Sequence, residues 1–184
     1  MKSRFLAIAL ALTLFSMPSV VQAADAVGPK IAVVDLQRLL SESKAGQDIQ
    51  SQLNTRREAF QKEVADQEKK LRDSEAALEK LQQDKKSPEE FGKKKVAFEK
   101  SLVDTRQNIQ KKRVALEKAA SDGITDLRNS AAAAIGDIAE KNKIDLVLLR
   151  QGVIIANKDM DITDEAMAVL NSKVSKVPLK FEAQ

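Results

Sequence analysis

Residues 85–90 read Lys-Lys-Ser-Pro-Glu-Glu, and this short stretch separates two long polar segments that each carry a heptad pattern. Ser87 is suited to cap a helix, Pro88 suits the first helical position, and Glu90 stands where a capping box has its acid. The pattern therefore predicts that one helix ends near Lys86 and that a second begins at Pro88. Because a tight turn joins them, we expect the two helices to form an antiparallel hairpin.

The segment before the turn carries an apolar seam that is diluted with polar residues. One heptad position holds Leu53, Phe60 and Leu81, and its partner position holds Val64, Leu71 and Leu78. Arg57, Gln67 and Ser74 occupy the remaining seam positions. A saturated seam would make a stable rod, so this one predicts coiled-coil arms that pack loosely and keep some apolar surface available.

The segment after the turn repeats the arrangement. Phe91 and Phe98 share one heptad position, while Leu102, Ile109 and Leu116 share the other. Thr105 leaves a gap in this seam, and the pattern continues to about Glu140. Each predicted helix has roughly fifty residues and would be about 75 Å long.

Short β-rich runs flank the hairpin on both sides. Ile31–Val34 is predicted to be a strand, after which Asp35 can cap the first helix. Beyond Asn142, residues 144–149 and 153–156 are predicted to form a β-hairpin around Arg150-Gln151-Gly152. Thr163 is placed to cap a last short helix.

The fold class that follows is α+β and mostly α. A helical hairpin arm, residues 36–141 with its turn near 85–88, is inserted in a β-containing base formed by residues 24–35 and 142–184. Three short strands and a small helix bury little apolar surface in one subunit, so we expect the base to form an oligomer. The side chains predicted to build that interface are Ile31, Val33, Val147, Leu149 and Ile154.

Residues 1–23 have the order of a secretory signal peptide. A basic start with Lys2 and Arg4 precedes an apolar run over 5–15, and Val21-Gln22-Ala23 follows as a small-x-small site. The run is too short to span a bilayer comfortably, and the absence of Cys excludes a lipoprotein anchor. We expect export across the inner membrane, cleavage after Ala23 and a periplasmic mature protein.

The composition disfavours catalysis and nucleic-acid binding. Without Lys2 and Arg4, 29 basic residues face 27 acidic ones, a net charge of +2 that is too weak to indicate a nucleic-acid partner. The chain has no His and no Cys, which removes the commonest general base and the thiolate. It also has no Tyr and no Trp on which bases could stack. We therefore expect a protein that is not an enzyme.

Two motifs resemble ligand sites only in part. Gly92-Lys93 has Ser87 where a P-loop needs its first Gly and Lys94 where it needs Ser or Thr, so ATP binding is unsupported. Residues 159–164 alternate acids but lack the central Gly and closing Glu of a calcium loop. We interpret Asp161 and Asp164 as turn and helix-start residues, and expect neither metal nor cofactor.

Charge is distributed unevenly between the two ends of this architecture. Residues 79–100, around the turn, hold seven Lys and five acids, whereas residues 122–165 hold nine acids and five basic residues. A charged helix is often only a solvated face, but this polarity predicts basic arm tips above an acidic base. The lysines of the predicted tip are Lys80, Lys85, Lys86, Lys93, Lys94 and Lys95.

Two glycines inside the second helix have two interpretations. Gly123 and Gly136 stand beside small residues, which favours close helix packing slightly. A flexible joint between arm and base remains the alternative.

The ordered parts of the chain resemble a known family. A signal peptide precedes Lys30-Ile-Ala-Val-Val-Asp35, a Lys/Glu/Gln-rich hairpin precedes Lys143-Ile-Asp-Leu-Val-Leu148, and Asn157 with Asp161-Ile-Thr-Asp164 precedes a short helix. These features are similar to the Skp (OmpH) family of periplasmic chaperones over essentially the whole mature chain. The specificity of the resemblance lies in the two ends.

The resemblance implies a homotrimer in which a small β-barrel base carries three helical hairpins around a cavity. It implies a holdase that binds unfolded outer membrane proteins without ATP and prevents their aggregation. Lipopolysaccharide is implied as a further partner, and the basic tips themselves favour acidic clients and an anionic lipid surface. The apolar side chains expected to contact the client lie on the arms: Phe60, Val64, Leu71, Leu78, Phe91, Phe98, Leu102 and Ile109.

The main alternative is a structural coiled-coil spacer or an adaptor of the cell envelope. Efflux adaptors place such a hairpin between long β halves, whereas the flanks of this hairpin are short. The polar seam positions Gln67 and Ser74 also argue against a spacer. The opposite alternative is that the seam residues only hold the two helices together. We expect this of most of them.

Overall fold

A computed structural model of the chain describes residues 28–84 and 87–181, and the side chain of Asp84 is not described. The predicted signal peptide, residues 1–23, lies outside the described residues, as do Lys85 and Lys86 of the turn. Within the described residues, the elements in chain order are β1 Ile31–Val34, α1 Leu36–Glu42, α2 Lys44–Asp84, α3 Pro88–Asn142, β2 Leu146–Leu149 and α4 Thr163–Lys173. Short 3-10 turns, Arg150–Gly152 and Lys158–Met160, connect β2 to α4.

The predicted fold class is confirmed, because two long helices dominate the structure and a small strand pair lies beside them. Helix α2 has 41 residues and α3 has 55, which correspond to about 60 Å and 80 Å of helix. The two helices pack against each other, as an antiparallel hairpin requires. An ion pair between Glu63 and Lys112 links their middle sections.

Helix α3 begins where the sequence predicts, but its start is capped differently. Pro88 is the first helical residue, and the Ser87 side chain makes no capping hydrogen bond. Glu90 pairs with Lys94 at 3.1 Å in the first turn of the helix. The start therefore depends on the fixed backbone of Pro88 and on acids near the positive end of the helix dipole.

The prediction of one continuous first helix from Leu36 is wrong, because the chain breaks at Ser43. This residue has an extended backbone (φ −63°, ψ 155°), and its buried hydroxyl accepts a hydrogen bond from the N–H of Gly46 at 3.1 Å. Gly46 is required here, since a Cβ would lie 2.1 Å from the carbonyl oxygen of Leu40. The Ser-x-x-Gly sequence is thus a cap that starts α2. The cap of α1 is as predicted, with Asp35 accepting from the N–H of Arg38 at 3.0 Å.

The predicted β-hairpin over residues 144–156 is also wrong. Strand β2 pairs in parallel with β1, in the register Ile31 with Leu146 and Val34 with Leu149. The other edge of β1 is taken by Asp161, and the N–H of Ile162 donates to the carbonyl of Val33 at 3.0 Å. Residues 153–156 pair with no described strand and form a loop.

Helix α4 starts at Thr163, so Thr163 is its first residue and not its cap as predicted; the N-cap position is taken by Ile162, and Asp161 lies in the turn before it. Asp161 Oδ1 accepts from the N–H of Thr163 at 2.9 Å. The Thr163 hydroxyl accepts from the N–H of Asp35 at 2.9 Å, which ties the starts of α1 and α4 together. The interpretation of Asp161 as a turn residue is therefore confirmed.

The buried core extends from the base into the roots of both long helices. It includes Ile49 and Leu53 of α2 and Leu127 and Ile138 of α3, together with strand β1 and helix α4. The compact part of the molecule therefore includes the roots of both long helices as well as the base. Beyond Leu53, the apolar residues of α2 are no longer fully buried.

Candidate functional site

The eight apolar residues predicted to contact a client lie on α2 and α3, and all are half-buried. Five of them line hollows between the two helices: Phe60, Val64, Leu78, Phe98 and Ile109. The full set of eight comprises Phe60, Val64, Leu71, Leu78, Phe91, Phe98, Leu102 and Ile109. The seam can therefore hold the hairpin together and still present apolar surface.

A cavity of about 340 Å³ opens in the seam between the two helices. Phe60, Val64 and Ile109 supply apolar walls, whereas Gln67 and Thr105 stand where an apolar residue would close the gap. Ala97 and Ser101 widen it because their side chains are short. The polar seam positions singled out in the sequence thus coincide with a real packing defect.

A second hollow of about 280 Å³ lies further toward the turn. Ser74 and Ala77 of α2 face Ala97 and Ser101 of α3 there, while Leu78 and Phe98 form its apolar walls. Small side chains on both helices cannot fill the space between two backbones. The arms are therefore underpacked at two successive levels.

The lysines of the predicted tip are exposed where they are described. Lys93 pairs with Glu89 at 2.7 Å and Lys94 with Glu90 at 3.1 Å, and all four side chains are half or more exposed. Lys80 and Lys95 are exposed as well. Exposed pairs of this kind contribute little to stability, so these cations remain open to solvent and to a partner.

The five residues predicted to form the oligomer divide into two groups. Val33 is 1% exposed and belongs to the core of its own chain, while Ile31 and Val147 are half-buried. Leu149 and Ile154 are 51% and 98% exposed. Only the second group presents a large apolar surface to another molecule.

The exposed apolar surface of the base is larger than the sequence predicts. Ile155 is 88% exposed, and Leu146 and Leu148 are 47% and 38% exposed. The sequence predicted that one subunit could not cover the strands of the base, but it did not single out these three side chains. Their β-rich composition was the available signal.

Comparison with known proteins identifies the family. The family model described as Outer membrane protein (OmpH-like) matches residues 30–170. The chain belongs to this family. Comparison of the OmpH-like sequence with curated proteins gives no match.

A solved structure has the same fold as this OmpH-like chain. It comes from Caulobacter crescentus CB15 and is described as an OmpH-like candidate outer membrane chaperone. The superposition has a TM-score of 0.75 at 16% sequence identity, and covers 93% of this chain and 96% of that chain. The resemblance inferred from the two ends of the sequence is confirmed.

The OmpH-like chain shows no arrangement for metal chemistry in its described residues. Residues 28–84 and 87–181 contain no group of three or more Asp, Glu, His or Cys side chains that could hold a metal ion. Over the same ranges, no helix is long and apolar enough to cross a membrane.

The sequence did not predict the contacts that the end of the described OmpH-like chain makes with the long helices. Residues 174–181, after α4, lie along the roots of α2 and α3, where Gln52 bonds to their backbone and Arg56 lies over the ring of Phe181. Gly123 is buried beneath Leu179, so its role is close packing. Gly136 has open space around it.

Proposed function

We propose that this OmpH-like chain is an ATP-independent holdase chaperone of the periplasm, which binds unfolded outer membrane β-barrel proteins and prevents their aggregation. The observation that carries the proposal is the underpacked seam, in which two hollows and half-buried apolar residues lie along helices of 41 and 55 residues. Family membership and the fold shared with a candidate outer membrane chaperone support it.

The chemistry of the seam suits this client. A strand of an outer membrane barrel alternates apolar and polar side chains, and it aggregates in water before it inserts. A rigid pocket would select one sequence, whereas many partly exposed apolar contacts on long helices suit varied clients. Polar groups such as Gln67 and Thr105 beside Phe60 and Ile109 can accommodate both faces of such a strand.

The base is proposed to assemble the chain into a homotrimer. Ile154 and Ile155 are almost fully exposed, and Leu149 is half-exposed beside them. Apolar clusters of this kind commonly mark an interface. Three copies would place three hairpins around one cavity, so that several arms hold one client.

The basic tips are proposed to guide acidic clients or to bind an anionic lipid surface such as lipopolysaccharide. Lys93 and Lys94 stand on the exposed first turns of α3, and a trimer would present them three times. Their contribution should fade with salt, because exposed charges interact over roughly 8 Å at physiological ionic strength.

The chain is further proposed to act without a cofactor and not as an enzyme, after export and removal of residues 1–23. An aggregation assay tests the function. Residues 24–184 are mixed with an unfolded β-barrel protein diluted from denaturant, with and without ATP, and light scattering is followed. Equal suppression of scattering in both mixtures is expected. Suppression that requires ATP, or no suppression at all, would refute the proposal.

A further inference from the structure

The last described residues lie against the arm roots in an alternating pattern. Val177 is buried, and Leu179 and Phe181 are half-buried, whereas Pro178 and Lys180 between them are exposed. Side chains that alternate in this way have the period of a β-strand with one covered face. Residues 177–181, called the tail below, therefore resemble a short amphipathic strand bound to the protein's own arms.

The tail backbone is held by one amide side chain. Gln52 Nε2 donates to the carbonyl oxygen of Val177 at 2.9 Å, and Gln52 Oε1 accepts from the N–H of Leu179 at 3.2 Å. The second hydrogen of Nε2 is donated to Asp48 Oδ2 at 2.7 Å, which fixes the orientation of the amide. These bonds recognise backbone groups, so they would form with an extended chain of many sequences.

Three features of the arms lie next to side chains of the tail. Gly123 lies beneath Leu179, where a Cβ would stand only 2.2 Å from the leucine Cδ2. The Arg56 guanidinium lies 5.4 Å from the ring centre of Phe181, within the range of a cation–π contact. Asp122, which pairs with Lys118 at 2.6 Å, and Asp126 line the hollow that Lys180 also lines, so acids lie near the outward basic position.

This surface, called the root groove, is continuous with the seam. It comprises Gln52, Arg56, Leu116 and Gly123. Phe60, Glu63 and Lys112 line both the small pocket beside Phe181 and the large seam cavity. A chain bound in the seam would therefore extend directly into the root groove.

We propose that the root groove is a binding site for an extended segment with alternating apolar side chains, and that the tail is its internal occupant, which a client strand displaces. The inference rests on the proposed function, since a strand of an unfolded outer membrane barrel has this alternation. The tail then acts as a tethered competitor that sets a threshold for binding.

The size of the threshold follows from tethering. Two residues separate Val177 from Val174, which ends α4, so the tail meets the groove at an effective concentration on the order of millimolar. If the groove is free in about one molecule in ten, the apparent Kd of a competing segment rises about tenfold. The tail therefore outcompetes a single short segment for the root groove, whereas a long unfolded chain that also contacts the arms can displace the tail.

Peptide binding to the full chain tests this proposal. A fluorescent peptide with the sequence of residues 175–181, SKVPLKF, is titrated with residues 24–184 and with the Leu179→Asp/Phe181→Asp variant, called the released variant, which leaves Val177 in the core and frees the positions of Leu179 and Phe181 in the root groove for the peptide. We expect the variant to bind the peptide about tenfold more tightly or better. A peptide of the same composition with its apolar residues adjacent should bind neither chain.

Two further variants locate the site. Adding Gly123→Val to the released variant fills the position under Leu179 and should abolish peptide binding. Gln52→Ala removes only the backbone contacts, so in the released variant it should weaken peptide binding. Circular dichroism must show the same helix content in every variant. If the released variant loses helix, Leu179→Ala in the otherwise unchanged chain, which weakens the tail and leaves the groove intact, should still bind the peptide more tightly than the parent does.

An unfolded β-barrel protein should then displace the peptide from the released variant. Equal peptide affinity of parent and released variant would show that the tail is only a structural strap and would overturn the proposal. Peptide binding that an unfolded barrel protein does not displace would also overturn it. The same chains in the aggregation assay distinguish the root-groove proposal from the proposed holdase function. Suppression of aggregation without peptide binding would contradict the former and leave the latter intact. Loss of suppression in the parent would refute that function itself.

Discussion

At the scale of single residues, Asp161 joins three parts of the base. Its Oδ1 accepts from the N–H of Thr163 at 2.9 Å, its Oδ2 pairs with Arg150 at 2.5 Å, and its backbone forms a bridge with Val33. A hydrogen bond from the Thr163 hydroxyl lowers the pKa of Asp161, and the Thr163 N–H and Arg150 act in the same direction against partial burial. The base is therefore stabilised by the ionised form of this carboxylate.

This lowered pKa predicts a dependence of stability on acid. The stabilisation is fully present above the pKa of an unfolded Asp, about 3.9, and is lost as the pH falls through the folded value. Asp161→Asn should cost about 1 kcal/mol at neutral pH, the order of a hydrogen bond to a charged group less its neutral counterpart. Urea unfolding of parent and variant at pH 7 and pH 3 measures this. A difference that stays constant between the two pH values would contradict the assignment.

Two apolar residues of the base are expected to respond differently to the same substitution. Val33 is 1% exposed, so Val33→Asp buries an unpaired charge and should unfold the base at a cost of several kcal/mol. Ile154 is 98% exposed, so Ile154→Asp should leave each chain folded and disrupt only its assembly. Light scattering with circular dichroism distinguishes the two. A trimer that survives Ile154→Asp would place the interface elsewhere.

At the scale of elements, the hairpin must hold together and also keep apolar surface accessible, whereas a simple rod needs only to hold together. Its helices must adhere over about 60 Å, yet they leave hollows at Gln67 with Thr105 and at Ser74 with Ser101. Each hollow lacks the van der Waals contacts that a leucine side chain would make in that space. An element that served only as a spacer would gain stability by filling them.

Filling the larger hollow therefore separates a holdase from a spacer. Gln67→Leu with Thr105→Leu should raise the melting temperature, because each buried leucine contributes about 1.5–3 kcal/mol when the space accepts it. The same change should reduce protection of an unfolded client, since the apolar walls become covered. Gln61→Leu with Gln107→Leu, on exposed faces, is the matched control and should change neither property in this way. Full protection by the filled hairpin would mean that the hollow is not used.

The sequence predicted correctly those features that residues close together in the chain determine. Pro88 marks the start of α3, Asp35 caps α1, and the heptads place Phe60 and Ile109 in one seam. The break at Ser43 also has a local signal, a serine three residues before a glycine, but it lies inside a polar helical segment that otherwise continues.

What the sequence did not predict depends on contacts between distant residues. The parallel pairing of β1 with β2 and the bridge from Val33 to Asp161 join segments that are far apart in the sequence, and composition alone cannot reveal such a choice. The tail is a stronger case, because Gln52 meets Val177 and Leu179 from 125 and 127 residues away. Its alternating sequence was visible, but its partner was not.

At the scale of the whole molecule, a well-packed base carries poorly packed arms. The core holds Leu39, Ile138 and Leu170 with essentially no exposure, whereas the apolar residues of α2 beyond Leu53 are partly open. Stability is therefore concentrated where the proposed assembly forms, and apolar surface is distributed where a client would be held. This division predicts that the arms can be altered without loss of the base.

Symmetric shortening of the arms tests this account most directly. Deleting residues 68–81 together with 94–107 removes the same whole number of heptads from both helices and keeps the seam in register. The shortened chain should retain the oligomeric mass and the cooperative melting of the base, while its protection of an unfolded β-barrel protein should fall in proportion to the lost arm. If the shortened chain protects its client as well as the full chain does, the arms do not carry the client.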